Sequence, residues 1–158
     1  MRSLGLLLLL AACAGQEATI AVADVPPVVM SAVRARFPNA TATEASRETK
    51  DGKTLYEVTL KDGTQQIDVT STAEGQLIEV EGGLSESDLP DAVTRAVSTK
   101  YPGAKYRIVE DVKTSDPAAP RSSYFEVLLE TTDKRFVEVQ IAADGTILKE
   151  EKKSGPEG

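Results

Sequence analysis

Two pairs of carboxylates are the residues best placed by type and spacing to do chemistry. Glu57 and Asp68 fall on what read as neighbouring strands, as do Glu126 and Glu138. Two acids on one sheet face can divide general acid and general base work between them. What the chain lacks stands against that use. It has no His and one Cys, which removes Ser-His-Asp and Cys-His nucleophilic catalysis, His-based metal sites and every multi-Cys cluster. No basic residue or ligand cluster supports either pair, so all four acids are expected to be solvated on the outer side of a half-buried sheet. Asp51-Gly52, Asp62-Gly63 and Asp144-Gly145 lack the spaced acidic ligands and closing Glu of an EF-hand. Asp-Gly is the common hairpin dipeptide, and these read as turns. No enzyme, cofactor or metal site is expected.

At 158 residues the chain is about one domain long. Lys and Arg total 18 against 25 Asp and Glu, a formal net charge of −7. An acidic chain without a basic cluster argues against nucleic-acid partners, whose affinity comes mostly from phosphate neutralisation. Apolar residues make up 41% of the chain and aromatics only 4%, with no Trp. A core is affordable, and it must rest on Val, Leu, Ile and Ala.

The N-terminus reads as an export address. One positive charge at Arg2, the leucine-rich run Leu4–Leu10 and the small residues Ala11, Ala12, Cys13 and Ala14 have the layout of a signal peptide. The run is far short of the ~20 apolar residues that span a bilayer. Leu10-Ala11-Ala12-Cys13 matches the lipobox of bacterial lipoproteins, in which Cys13 would carry the lipid. Ala12-Cys13-Ala14 and Ala21-Val22-Ala23 also fit ordinary signal peptidase, and the unpaired thiol favours the lipobox. Residues 1–23 are thus expected to be leader and linker, with membrane contact only through the lipid, and the chain a monomer in the periplasm or cell envelope.

The remainder is an internal duplication. Val25–Ala40 aligns without a gap on Leu89–Ala104, with Pro26/Pro90, Val29/Val93, Ala32/Ala96, Val33/Val97, Pro38/Pro102 and Ala40/Ala104 identical. Tyr56-Glu57-Val58-Thr59-Leu60 then lies over Phe125-Glu126-Val127-Leu128-Leu129, and Ala73-Glu74-Gly75 over Ala143-Asp144-Gly145. The extra residues of the second copy fit a loop at Thr114–Pro120. Each copy opens with a helix, for which Asp24 and Asp88 are expected N-caps with Pro26 and Pro90 in the first turn. Val29, Ala32, Val33 and Phe37, and their counterparts Val93, Ala96, Val97 and Tyr101, recur at helical spacing. Pro38 and Pro102 stop each helix.

Four short strands follow in each copy. Those of the first are expected at Thr41–Glu48, Lys53–Leu60, Thr64–Thr70 and Gln76–Val80. Those of the second are expected at Lys105–Val112, Ser122–Glu130, Arg135–Ile141 and Thr146–Glu150. Alternation puts Tyr56, Val58, Leu60, Ile67 and Val69 on one face, and Phe125, Val127, Leu129, Val137, Val139 and Ile141 on its counterpart. The expected fold class is therefore α+β: two tandem αββββ units, each one helix packed on a four-stranded antiparallel sheet. Repeat 1 would span 24–87 and repeat 2 88–152. The tail Glu150–Gly158, rich in charge with Gly and Pro, is expected to be disordered, 153–158 wholly so. On the opposite faces the copies differ. Tyr124, Leu128 and Phe136 would form an exposed apolar cluster, a candidate partner surface.

A helix ending in Phe/Tyr-Pro-x-Ala, a Tyr-Glu-Val strand and an Ala-Asp-Gly hairpin, all repeated, resemble the PepSY-like domains of bacterial secreted proteins, also called β-lactamase-inhibitor-like. The resemblance spans Asp24 to about Lys152. It implies an exported, non-enzymatic protein with this tandem fold, and it supplies no partner. The expected function is a binding module whose sheet surface meets a protein or peptide. An inhibitor of a secreted hydrolase, with Thr114–Pro120 as the plugging loop, is the alternative, and a cation-buffering envelope protein a third reading.

Overall fold

The computed structural model describes residues 17–50, 52–117, 119 and 121–153. The chain divides into two compact units, Met1–Val80 and Glu81–Gly158. Among the described residues are nine strands and two α-helices, an α+β composition.

The first unit opens with strand β1 (Ala18–Ile20), a 3-10 turn at Val22–Asp24 and helix α1 (Pro27–Arg36). Strands β2 (Thr41–Lys50), β3 (Lys53–Asp62), β4 (Gln65–Thr72) and β5 (Leu77–Gly83) follow. They hydrogen-bond in chain order, β1-β2-β3-β4-β5. In the second unit a 3-10 turn at Glu86–Asp88 leads to helix α2 (Asp91–Lys100). After it come β6 (Lys105–Thr114), β7 (Ser123–Glu130), β8 (Phe136–Ile141) and β9 (Ile147–Lys153), again paired in chain order. The division at Val80/Glu81 falls inside β5, earlier than the repeat boundary read from the sequence. The chain just past β5 already belongs to the second unit, where the Leu84 N–H donates to the Val109 carbonyl at 2.8 Å.

The helix starts differ from expectation. Pro26 and Pro90 are themselves the N-cap residues, with extended ψ of 137° and 143°, and neither helix has a side-chain cap. A residue before proline is pushed out of the helical region, so Pro27 holds Pro26 extended and Pro90 holds Leu89 extended. Asp24 and Asp88 instead close the 3-10 turns, their N–H groups donating to Ala21 and Ser85 carbonyls at 2.9 and 3.0 Å. The Asp88 carboxylate also accepts from the Ser85 N–H at 3.1 Å. Both helices end as the prolines require, with Phe37 N–H on the Val33 carbonyl and Tyr101 N–H on that of Val97.

The two units share irregular details. A register shift between Ala42 and Glu44 in β2 recurs between Tyr106 and Ile108 in β6. Gly75 N–H donates to the Thr72 carbonyl and Gly145 N–H to that of Ala142. The core of the first unit joins Val29, Met30 and Val33 of α1 to Ala45, Val58, Leu60, Ile67 and Val69. In the second, Val93 and Val97 of α2 meet Val109, Val127, Leu129, Val139 and Ile141. These are the sheet faces that alternation assigned to the interior, and each fully buried Val or Leu contributes about 1.5–3 kcal/mol.

Two segments are more structured than expected. Residues 18–20, read as linker, form β1 against β2, with Ala18 opposite Arg47 and Ile20 opposite Ala45. Ile20 and Val22 then pack on the first core, which is what retains so short a strand. At the other end β9 runs to Lys153, so Glu150–Lys153 is sheet rather than tail. Pairing with β8 satisfies its backbone, Phe136 lying opposite Lys153 and Glu138 opposite Glu151.

Candidate functional site

Each helix covers one face of its own unit's sheet, and the acids lie on the other. In the first unit Glu57 pairs with Thr70 across β3–β4, and Thr59 with Asp68. Glu57 and Asp68 are therefore diagonal neighbours on the face away from α1. Asp68 is well satisfied, accepting from the Thr59 hydroxyl at 2.6 Å and from the Gln66 amide at 3.0 Å. Glu57 is not: burial pushes its carboxyl up to about 7, and the nearby charges of Asp68, Glu17, Glu79 and Glu48 push the same way. The charges that act most on Glu57 are thus all negative.

The second unit repeats the geometry with a different charge balance. Glu126 lies opposite Gln140, and Leu128 opposite Glu138, across β7–β8. Glu110 faces Glu126 across β6–β7. Gln140 Nε2 donates to Glu126 Oε2 at 3.0 Å. Lys153 Nζ is 3.2 Å from Glu138 Oε2 and 3.6 Å from Glu151 Oε2. Glu138 is only 2% exposed and Glu126 7%. Burial, then the Glu126 charge, pushes the Glu138 carboxyl up to about 7, while Lys153 pulls it back. At the end of β7 the opposite holds, where hydrogen bonds from Lys134 and Arg107 hold Glu130 down at about 2.

These positions correct the expectation of four solvated acids. Glu126 and Glu138 are among the most buried charged residues of the chain, and Glu57 is half-buried with its charge disfavoured. The cation that makes Glu138 tolerable comes from Lys153, in the segment read as disordered tail. The signal was present in the alternation Lys149, Glu151, Lys153, which continues the strand period past the expected end of β9. Glu17, Glu48 and Glu79 were likewise missed as neighbours of Glu57.

The apolar cluster also needs correction. The register does place Tyr124, Leu128 and Phe136 on the helix-free strand face of the second unit, but Tyr124 and Leu128 are each only 5% exposed. Their ladder neighbours crowd them, Val112 beside Tyr124 and Glu138 beside Leu128. Phe136 alone is half-buried, at the start of β8 opposite Lys153. Cys13 lies outside the described residues, as do positions 118 and 120 of the Thr114–Pro120 loop. The first part of that loop is tied down, with Thr114 N–H donating to the Ser122 carbonyl and Asp116 N–H to the Thr114 hydroxyl, both at 3.0 Å.

A carboxyl that titrates near 7 is suited to giving up or taking a proton. Of the two such carboxyls, Glu138 has Lys153 beside it, while the Thr and Gln contacts go to Asp68 and Glu126; among the described residues no hydrogen bond joins either to a hydroxyl that could serve as nucleophile. What the arrangement does offer is charge without compensation. In the first unit the half-buried carboxylate of Glu57 would be stabilised by any cationic group brought to it.

The profile of a family described as beta-lactamase-inhibitor-like, PepSY-like matches residues 13–79 and 54–149. No curated protein matches the chain. Among solved structures, a DUF2874 family protein from Bacteroides uniformis is similar with a TM-score of 0.65 at 17% identity, over 80% of this chain and 88% of that one. A protein from Bacteroides eggerthii, described as periplasmic, gives 0.66 at 14% identity, over 81% and 88% of the two chains. A BLIP-like protein from Bacteroides fragilis gives 0.62 at 22% identity, over 84% and 89%. At these identities the likeness is one of fold.

Proposed function

This chain belongs to the PepSY-like, beta-lactamase-inhibitor-like family, and on that premise we propose that it is a non-catalytic binding module, exported to the bacterial envelope, whose helix-free sheet surface receives a protein or peptide partner. The family's description names an inhibitor-like fold and no reaction. One observation carries the reading: Glu57 is held half-buried on a packed sheet, and the charges that act on it most, Asp68, Glu17, Glu79 and Glu48, are all negative. A half-buried charge with no cation beside it costs stability, and groups perturbed in this way concentrate at functional sites. The partner that such a face favours presents Lys or Arg. Within the second unit, Phe136 is the accessible member of the Tyr124, Leu128 and Phe136 group and a separate proposed contact of its own.

The Bacteroides eggerthii structure described as periplasmic supports export, as does the leader-like N-terminus with Cys13 as its proposed lipidation site. Cleavage after Ala23 would strip β1 and Val22 from the first unit, which favours the earlier sites. The inhibitor form of the reading differs only in the partner, a secreted hydrolase.

The test is crosslinking in the living envelope from a photoreactive residue at Thr70, opposite Glu57. A discrete protein adduct is expected, reduced at least tenfold by Glu57→Lys and weakened by high salt, which screens exposed charge; a second probe at Glu130, opposite Phe136, should give an adduct weakened by Phe136→Ser. Adducts indifferent to both substitutions would remove the reading. A panel of purified hydrolases separates the inhibitor form, which requires loss of rate at micromolar protein.

A further inference from the structure

On the helix side of the sheet the two copies of the repeat differ at Ala42 and its counterpart Tyr106. In the first unit a cleft of about 290 Å³ opens beside α1, walled by Met30, Val33 and Leu60, with Ala42, Val22 and Arg34 also lining it. That volume is at the small end of the ~300–1,000 Å³ typical of ligand pockets. Ala42 lies directly opposite Leu60 in the β2–β3 ladder. In the second unit the same ladder position holds Tyr106, directly opposite Leu129, next to the same register shift. Tyr106 packs against the second core. Its phenol is pushed up by burial and then by the charge of Glu86, which occupies the place that Val22 has in the first unit. One copy thus fills with its own aromatic ring the space that the other leaves open.

We infer that the cleft of the first unit receives an aromatic side chain flanked by a carboxylate, carried by a peptide or protein partner. The ring chemistry is set by the chain's own template, since Tyr106 fits the equivalent space between helix and sheet. The flanking charge is set by Arg34, which is exposed at the rim and has no ion-pair partner among the described residues. The second unit has Ser98 at that position and an acid, Glu86, nearby, so the charge preference belongs to the first cleft alone. A buried ring contributes a large apolar area, and an Arg–carboxylate pair adds direction to it. The cleft lies on the helix side of the sheet and stands apart from the acidic face.

The probe is acetyl-Asp-Tyr-Asp-amide, followed by nuclear magnetic resonance of the full chain. Saturable shifts are expected at Val33, Ala42 and Leu60, with none at Val97, Tyr106 and Leu129. Ala42→Tyr, which installs the ring of the second unit, should weaken binding at least tenfold. Arg34→Glu should weaken the acidic peptide at least threefold and strengthen acetyl-Lys-Tyr-Lys-amide, so the inference stays testable if Ala42→Tyr folds poorly. Absence of saturable shifts up to about 10 mM, weaker than any useful affinity, would overturn it. So would unchanged binding by both variants, or contacts showing the cleft already filled by another segment of this chain or by a second copy.

Discussion

Gly145→Ala is expected to lower stability by about 3–4 kcal/mol, a severe loss for a single methyl group. Gly145 sits in the β8–β9 hairpin at φ 86°, a conformation that costs an L-residue about 1–2 kcal/mol. A Cβ there would also stand 2.6 Å from the carbonyl oxygen of Ala92 in the first turn of α2. That atom is backbone, so helix and hairpin would have to separate. The equivalent Gly75 meets Val28 of α1, but its Cβ would be 3.0 Å from the Val28 carbonyl oxygen, and Gly75→Ala should cost less, about 2–3 kcal/mol. Gly52 and Gly63 share the positive φ with nothing within 4 Å, so Ala at either should cost only the backbone component, about 1 kcal/mol. Denaturant midpoints of the four variants check the series. For a chain of this length 3–4 kcal/mol is a fall of roughly 6–16 °C in melting temperature. Equal losses at Gly145 and Gly52 would mean that the hairpin does not seat against the helix.

Stability should fall as pH rises from 5 to 8, by about 1–3 kcal/mol. Glu57 and Glu138 are both pushed up to about 7 in the folded chain, from an ordinary carboxylate value of 4.5. Below the unfolded value both states hold the proton and the contribution is fully present. Between the two values only the folded state keeps it, so each step up in pH favours unfolding, until the contribution is gone above 7. Glu130, held at about 2, works in a separate window: its contribution is lost only as pH falls below the ordinary carboxylate value. Urea titrations at pH 5, 6, 7 and 8 read the slope directly. Glu57→Gln should raise stability at pH 8 by about 1–2 kcal/mol and flatten the profile, since it removes a charge with no counter-ion. Lys153→Met should do the reverse, costing about 2 kcal/mol at pH 8, because Glu138 then loses the cation 3.2 Å away. The loss should shrink at pH 5, where Glu138 takes up a proton. A profile that rises from pH 5 to 8 would contradict the burial of both acids.

The same two experiments separate the two roles of these carboxylates. If Glu57→Gln stabilises the chain while Glu57→Lys abolishes its crosslinks, the charge is retained for contact rather than for folding. Glu138 is of the other kind, since its ion pair with Lys153 is internal to the second unit.

Much of the architecture was legible in the residues because it follows from short-range rules. Pro38 and Pro102 end the helices by local sterics, and Val29, Val33, Val93 and Val97 declare the buried stripe by spacing alone. Alternation assigned Val58, Leu60, Val127 and Leu129 to the interior, since the period of two leaves a strand only two choices. Val25–Ala40 matches Leu89–Ala104 without a gap, and the register shifts at Ala42 and Tyr106 fall at matching positions of the two segments. What only the tertiary structure decided is everything that depends on how strands lie side by side. Burial of Tyr124, Leu128, Glu126 and Glu138 is set by neighbours across the ladder, which sequence distance does not reveal. The pairing of Lys153 with Glu138, the addition of β1 to an edge and the open space beside Ala42 have the same origin. Side-chain period names a face, whereas exposure, charge balance and free volume on that face are sums over residues far apart in the chain.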